Sequence, residues 1–407
     1  MLIGIDATLA GGKGSERSGI YRCLKQLLIG FRMVGSEHRF RLWFNSFRRS
    51  RVDGVQDFLA EVHGLRLDAR VSRFPARLRL GLDLPVEWFT GPLDLFHSPN
   101  HLLPRLRRTP GIVTIHDLAF LRMTEDVTRL DPVWTAAIRR RSRHPQAVLS
   151  AYRGRCDFFL DLQRNISGTL ARADIIVAVS AATARDLVEI ARVPMEKVRV
   201  ISNGTTPGMG VVRDPAAIRE VKQRIGVDRR YVLYVGVPDP NKDLHTLIAA
   251  YASTSAAFRR EHHLIIAGPE GWFQPVLEEE AERQGVADRV RFVGFVSDAM
   301  LPALYSGATA AVSPSPLEGF GLTVLEAMAC GAPVVVVDAG ALPEVAGDAA
   351  IRVPPSDPAV MAAAMERIAT DSELAADLTS RGFARCKMFS WERAAKMTLD
   401  VYAEVGR

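Results

Sequence analysis

The sequence of 407 residues contains few cysteines and no long apolar run. The four cysteines are Cys23, Cys156, Cys330 and Cys386. They are far apart and lack the spacing of metal ligands, so we expect reduced thiols in a cytoplasmic protein. No apolar run approaches the ~18 residues that cross a bilayer, and the opening MLIGID has no basic leader before Asp6, which argues against a signal peptide. The chain is 48% hydrophobic and 24% charged, as soluble globular proteins are. Its length favours two domains of roughly 200 residues.

Charge is distributed unevenly along the chain. Residues 1–205 hold 32 Lys and Arg against 20 Asp and Glu, whereas residues 206–407 hold 20 against 26. The basic first half predicts contact with something anionic, such as nucleic acid, a membrane surface or a phosphorylated lipid. Because the cations are mostly Arg without regular aromatic interleaving, we expect no nucleic-acid partner. A solvated basic surface without a partner is the alternative.

Short apolar runs alternate with amphipathic stretches, which predicts an α/β fold with parallel sheets. Strands are predicted at 2–6, 40–44, 93–97, 111–115, 174–179, 198–201, 231–236, 263–268, 290–294, 310–314 and 333–337. Helices are predicted at 20–30, 182–191, 244–252, 276–284, 300–305, 322–330 and 391–406. Asn, Gly and Pro in the segment 203–208 place a domain boundary there. We therefore expect domains over 1–205 and 206–388, with the C-terminal helix 389–407 packing back on the first.

The segment SPLEGFGLTVLEAMACGAPVVVV, residues 315–337, carries two carboxylates, Glu318 and Glu326, around a glycine-containing turn. The turn follows a predicted strand and precedes a helix that begins at Leu322. Ligands bind beyond the carboxyl ends of strands in open α/β sheets, and a helix start offers amides that suit a phosphate. Carboxylates fit there if each accepts hydrogen bonds from hydroxyls that flank the phosphate, as in a nucleotide-sugar. The alternative is a solvated Glu318 and a Glu326 on an exposed helix face.

This segment resembles the E-x7-E signature of retaining glycosyltransferases of family 4. That family has the GT-B fold, two Rossmann-like domains with parallel sheets facing across a cleft. DIIVAVSAATARDL followed by VRVISNG is similar to the end of the family's first domain, and YVLYVGVPDPNKDLHTLIAAY to the strand and phosphate-lysine loop that open its second. The resemblance covers nearly the whole chain, most strongly residues 231–355. VTIHDLAF and its surroundings resemble bacterial mannosyltransferases of polysaccharide assembly.

The resemblance implies roles for individual residues. The expected catalytic residues are His116 and Glu318, which would contact the donor sugar, and Lys242, which would neutralise the diphosphate. The expected donor-binding residues are Gly19, Gly236, Lys242, Gly294, Glu318, Gly319, Phe320, Gly321, Leu322, Thr323 and Glu326. Within that set, Leu322 and Thr323 would bind the diphosphate, Glu326 the ribose, and the base would lie near Gly294.

One sequence feature departs from the family pattern, and a second adds an expected site. The family often supplies an arginine beside the lysine, whereas this sequence has Val237 and Asn241 at those positions, which leaves Lys242 as the expected cation. The segment His97–His101 ends another predicted strand and is expected to line the acceptor side.

The activity implied is transfer of a hexosyl unit, mannosyl first, to a hydroxyl of a glycan or lipid-linked oligosaccharide, with retention. The donor would be GDP-mannose or a UDP-sugar, with no metal ion or other cofactor, because no Asp-x-Asp motif occurs where a donor would lie. We expect a cytoplasmic enzyme whose basic first domain, including Arg139, Arg140 and Arg141, meets the anionic inner membrane peripherally. The alternatives are another GT-B enzyme, such as an epimerase or a phosphorylase, and a non-catalytic GT-B relative acting as partner of another glycosyltransferase.

Overall fold

The structure is a computed structural model that describes residues 1–12, 19–45, 53–73, 84–122, 132–142 and 145–406. The chain divides into two compact units. The first unit comprises Met1–Leu118, Leu160–Gly204 and Phe389–Arg407, and the second comprises Ala119–Phe159 and Thr205–Met388.

In the described residues the helices are α1 Gly19–Met33, α2 Val55–Glu61, α3 Glu87–Thr90, α4 Ala119–Arg122, α5 Pro132–Arg141, α6 Pro145–Arg172, α7 Ala181–Glu189, α8 Pro215–Arg224, α9 Leu244–Ser253, α10 Ala256–Glu261, α11 Gln274–Arg283, α12 Leu301–Ser306, α13 Leu322–Ala329, α14 Leu342–Ala346, α15 Pro358–Thr370, α16 Ser372–Cys386 and α17 Trp391–Val405. Short 3-10 turns lie at Thr8–Ala10, Met195–Lys197 and Pro240–Lys242. None of these helices combines the length and apolar character needed to cross a bilayer, within the part of the chain that is described.

The sheet of the first unit is parallel, with seven strands among the described residues: β1 Leu2–Asp6, β2 Arg39–Asn45, β3 Arg66–Ser72, β4 Leu95–Ser98, β5 Gly111–Ile115, β6 Ile175–Ala178 and β7 Val198–Val200. Their order is β3-β2-β1-β4-β5-β6-β7, so the direction of winding reverses between β1 and β4. All five residues of β5 are buried, since helices cover both faces of a doubly wound sheet.

The sheet of the second unit has six parallel strands in the described part: β8 Arg230–Val235, β9 His262–Ala267, β10 Val290–Gly294, β11 Ala310–Ser313, β12 Val334–Val337 and β13 Ala350–Val353. The order β10-β9-β8-β11-β12-β13 reverses between β8 and β11. Such a reversal creates a crevice at the carboxyl ends of the two central strands, where ligands bind in Rossmann-like folds. The parallel α/β architecture predicted from the sequence is confirmed in both units.

Two segments bear on the predicted domain limits. The helix α17 packs against α1 inside the first unit: a Cβ added to Gly30 would lie 2.7 Å from the carbonyl oxygen of Trp391. Residues 119–159, expected in the first domain, cluster instead with the second unit. There α5 packs on α11, and the Arg140 guanidinium pairs with the Glu279 carboxylate.

Candidate functional site

The candidate site of the second unit lies where β8 and β11 end. These strands are hydrogen-bonded neighbours, with Ala310 opposite Val232 and Ala311 opposite Leu233, so the loops that follow them emerge side by side. The hydroxyl of Ser315, in the loop after β11, donates to the carbonyl oxygen of Asn241, in the loop after β8, at 3.1 Å. The sequence therefore brings the lysine loop and the glutamate loop together at the point where the sheet reverses.

Lys242 and Glu318, both predicted to be catalytic, form an ion pair. Lys242 Nζ donates to Glu318 Oε2 at 2.6 Å, and the two side chains are 23% and 24% exposed. Lys242 ends the 3-10 turn Pro240–Lys242, which its amide closes through a 3.0 Å bond to the Asp239 carbonyl. The partly exposed pair thus presents one cation and one carboxylate to a ligand.

The backbone of Glu318 is held by the loop after β12. The amide of Ala341 donates to the Glu318 carbonyl oxygen at 3.0 Å. Gly340 has a φ of +58°, and a Cβ there would lie 2.8 Å from that same oxygen. Sequence reasoning missed Gly340, although a glycine soon after a buried strand is a signal for a backbone that must approach another closely.

The start of α13 supplies amides beside this pair. Gly321 precedes the helix with a φ of +98° and offers no side-chain cap. The first amides of a helix have no acceptor within it, so those of Leu322 and Thr323 are oriented for an anion. Phe320 is buried at 5% exposure, which leaves its backbone, with that of Gly319, as the part of this turn suited to a ligand.

Glu326 is buried within α13 at 1% exposure, so its placement on an exposed helix face is wrong. Thr206 Oγ1 donates to its Oε1 at 2.7 Å, and Tyr305 Oη donates to its Oε2 at 3.4 Å. Burial, reinforced by the charge of Glu326, raises the pKa of the nearby Cys330 thiol to about 12. Sequence reasoning did not find Thr206 or Tyr305.

Glycines line the neighbouring strand ends. The amide of Gly268 donates to the carbonyl oxygen of Gly294 at 2.9 Å, and that of Gly236 donates to Ala267 at 2.8 Å. A Cβ on Gly236 would lie 2.6 Å from the Tyr234 hydroxyl oxygen. The Tyr234 side chain leaves no room for a side chain at Gly236, whereas Gly294 has open space around it.

The remaining predicted residues, Gly19 and His116, belong to the first unit. Gly19 opens α1, and an added Cβ would meet nothing within 4 Å; residues 13–18 of its loop lie outside the described part. The half-buried His116 follows β5, and its Nε2 donates to the carbonyl oxygen of Pro99 at 2.9 Å. Desolvation, reinforced by His101, lowers the pKa of His116 to about 4. The imidazole is therefore neutral, with Nδ1 as an acceptor.

His97 differs from the expectation that it lines the acceptor side. It is 1% exposed, and its ring nitrogens are hydrogen-bonded to Tyr402 Oη at 2.7 Å and Thr114 Oγ1 at 2.8 Å. Burial lowers its pKa to about 3. The residue joins β4 and β5 to the C-terminal helix and is structural.

Of the expected membrane cluster, Arg140 pairs with Glu279, Arg139 is exposed, and the side chain of Arg141 lies outside the described part. Over the described residues, no group of three or more His, Cys, Asp or Glu is arranged to hold a metal ion.

Known glycosyltransferases are similar to this chain in sequence. Residues 217–385 match the family "Glycosyl transferases group 1", and residues 32–207 match "Glycosyltransferase Family 4". O-antigen chain mannosyltransferase B of Escherichia coli is 30% identical over 310 residues, which are 76% of this chain and 74% of that one. D-inositol 3-phosphate glycosyltransferase of Salinispora arenicola is 34% identical over 251 residues, 58% of this chain and 56% of that one.

Solved structures share the fold over the full length. HepE of Anabaena in complex with UDP and glucose has a TM-score of 0.69 at 20% identity, covering 99% of this chain and 100% of that one. Sucrose-phosphate synthase from Thermosynechococcus elongatus has a TM-score of 0.70 at 20% identity, covering 99% and 98%. Two Rossmann-like units and these structural matches define the GT-B fold. The chain belongs to glycosyltransferase family 4.

Proposed function

We propose that this protein is a retaining glycosyltransferase that moves a hexosyl unit from a nucleotide-sugar to a hydroxyl of a glycan or a lipid-linked oligosaccharide. The observation that carries the proposal is the grouping of Lys242, Glu318 and the uncapped start of α13 at the reversal of the second sheet. That grouping combines a cation and amides for a diphosphate with carboxylates for the hydroxyls on either side of it.

In this proposal the amides of Leu322 and Thr323 and the Lys242 ammonium bind the diphosphate. Glu318 accepts hydrogen bonds from the sugar, and Glu326 accepts them from the ribose. Glu326 is preorganised for this role, because Thr206 and Tyr305 fix its carboxylate. The neutral His116 contributes an acceptor nitrogen for a sugar hydroxyl.

The proposed transfer proceeds on one face of the sugar. The acceptor oxygen forms a bond to the anomeric carbon as the bond from that carbon to the diphosphate breaks, and the departing phosphate oxygen takes the acceptor's proton. Glu318 is occupied by the sugar hydroxyls and Glu326 is buried, so in this proposal both serve as hydrogen-bond acceptors rather than nucleophiles. Lys242 and the amides stabilise the charge that develops on the leaving group, without a metal ion or other cofactor.

Mannose is the first choice for the transferred sugar, and GDP-mannose for the donor. The similarity to an O-antigen chain mannosyltransferase supports this choice. A UDP-sugar is the second choice, which the fold shared with a UDP-binding protein of Anabaena keeps open.

Peripheral contact with an anionic membrane is part of the proposal, and a surface of the first unit supports it. Trp88 on α3 is 66% exposed. The Glu87 carboxylate beside it accepts from the amide of Arg107 at 2.7 Å, and the Val86 amide donates to the carbonyl oxygen of Arg105 at 2.9 Å, so the segment with the exposed Arg105 and Arg107 packs against the start of α3. An exposed indole on a helix beside a segment with exposed arginines suits the headgroup region of a bilayer.

Transfer assays with purified protein test the proposal. With GDP-mannose or a UDP-sugar and a glycan acceptor, we expect a product whose anomeric configuration, read by NMR, equals that of the donor. Lys242→Ala should lower kcat about 100-fold, since it removes charge stabilisation of the leaving group. Lys387→Ala, at an exposed lysine of the same unit, is the control and should leave kcat unchanged. An inverted anomeric centre, or no transfer from any donor, would contradict the proposal.

A further inference from the structure

The ion pair between Lys242 and Glu318 places two anions in competition for one cation when a diphosphate binds. The Lys242 ammonium already donates to the Glu318 carboxylate at 2.6 Å. A phosphate that reaches Lys242 must share or replace that bond, and it comes close to a carboxylate of the same sign. The pair therefore opposes diphosphate binding unless something else satisfies Glu318.

The backbones that carry the two side chains are tied to neighbouring loops, so the lysine and glutamate loops stay side by side when the side chains turn. The Glu318 carbonyl accepts from Ala341, and Gly340 packs directly against it. The lysine turn is closed through Asp239 and joined to the glutamate loop by the Ser315 hydroxyl. A phosphate bound at Lys242 consequently lies within reach of the Glu318 carboxylate.

A nucleotide-sugar and a free nucleoside diphosphate affect this carboxylate differently. The sugar brings hydroxyl donors, which replace the bond that Glu318 loses when Lys242 turns to the phosphate. The free diphosphate brings no such donor, and its terminal phosphate carries additional negative charge. Leaving a partly buried carboxylate without its partner is costly.

From this we propose, on the basis of the proposed function, that Glu318 is a specificity-determining residue that selects nucleotide-sugars against the nucleoside diphosphate product. The Glu318 carboxylate keeps the Lys242 ammonium in the ion pair when the bound anion supplies no hydroxyl donors. The same competition favours departure of the nucleoside diphosphate after transfer.

Isothermal titration calorimetry with GDP, UDP, GDP-mannose and a UDP-sugar tests the inference. In Glu318→Gln the charge is lost and the size kept, so the nucleoside diphosphate should bind at least tenfold more tightly than to the wild type. The nucleotide-sugar should gain less or lose affinity, so the preference for it falls at least tenfold. Glu373→Gln, at an exposed glutamate on α16, is the charge-matched control and should change neither Kd.

A second variant assigns the effect to Lys242. Adding Lys242→Ala to Glu318→Gln should abolish the gain in diphosphate affinity, because the freed ammonium is its source. A gain that persists without Lys242 would overturn the inference, as would Glu318→Gln binding the diphosphate no more tightly than the wild type; the proposed function would survive both. If no nucleotide or nucleotide-sugar binds any of the folded proteins, checked by thermal unfolding, both the inference and the proposed function fail.

Discussion

At the scale of single residues, His97 and His116 show how one residue type takes two roles at neighbouring strands. His97 is enclosed between Tyr402 and Thr114, whereas His116 is half-buried and donates to Pro99. Desolvation lowers the pKa of both, to about 3 and about 4. Each is therefore neutral in the folded chain at neutral pH, and folding excludes a proton that the unfolded chain accepts.

This pKa difference predicts acid sensitivity. Below the unfolded value of 6.5 the unfolded chain binds more protons than the folded one, so stability falls as the pH drops. The loss is up to ~1.4 kcal/mol per pH unit for each histidine. Melting temperatures measured from pH 8 to pH 5 should fall more steeply for the wild type than for His97→Gln. Parallel curves would contradict the account of His97.

Loop and helix signals after a predicted strand singled out Glu318 and Glu326, whereas Lys242 was predicted from the resemblance to family 4. The sequence could not predict the partners of Glu326, since Thr206 is 120 positions away and Tyr305 is 21. Their contact depends on how distant elements pack, and a threonine or a tyrosine alone carries no signal for it. The roles assigned to these residues in donor binding stay predictions.

At the scale of elements, burial determines which strands can be predicted from the sequence. The eleven predicted strands are all present, because most strands inside a parallel sheet are covered on both faces and read as apolar runs. The edge strands β3 and β13 were missed. They are partly exposed and carry polar residues, such as Arg66, Asp68 and Arg352, that interrupt the apolar pattern.

The loop after β12 yields a prediction about the element that positions Glu318. Gly340→Ala adds a Cβ 2.8 Å from the Glu318 carbonyl oxygen, at a φ of +58°. The left-handed backbone costs about 1–2 kcal/mol, and the displaced Glu318 should lower kcat/KM for transfer at least ~10-fold, since small misplacements are costly in catalysis.

Gly285→Ala is the matched control for this substitution. Gly285 has a φ of +69°, and an added Cβ would meet nothing within 4 Å. Gly285→Ala should lose stability in thermal unfolding because of its left-handed backbone, and it should keep the kcat/KM of the wild type. If Gly340→Ala and Gly285→Ala have the same kcat/KM, Gly340 does not position Glu318.

At the scale of the whole molecule, the two units each have their own parallel sheet and core. The first unit is completed by the C-terminal helix α17, whose Tyr402 reaches His97. It also carries the surface around Trp88, which we propose meets an anionic membrane.

Vesicle sedimentation tests that surface. Trp88→Ala and Arg107→Gln should each weaken binding to vesicles rich in anionic lipid, the arginine by roughly 1 kcal/mol, or about fivefold. Arg219→Gln, at an exposed arginine of the second unit, is the control and should bind like the wild type. Equal binding by the wild type and both surface variants would remove this surface from the proposal.

The most direct measurement for the whole account is a crystal structure with the preferred nucleotide-sugar bound. The account predicts diphosphate oxygens on the amides of Leu322 and Thr323, with the ribose hydroxyls on Glu326 and sugar hydroxyls on Glu318. A nucleotide bound anywhere other than the start of α13 would contradict it.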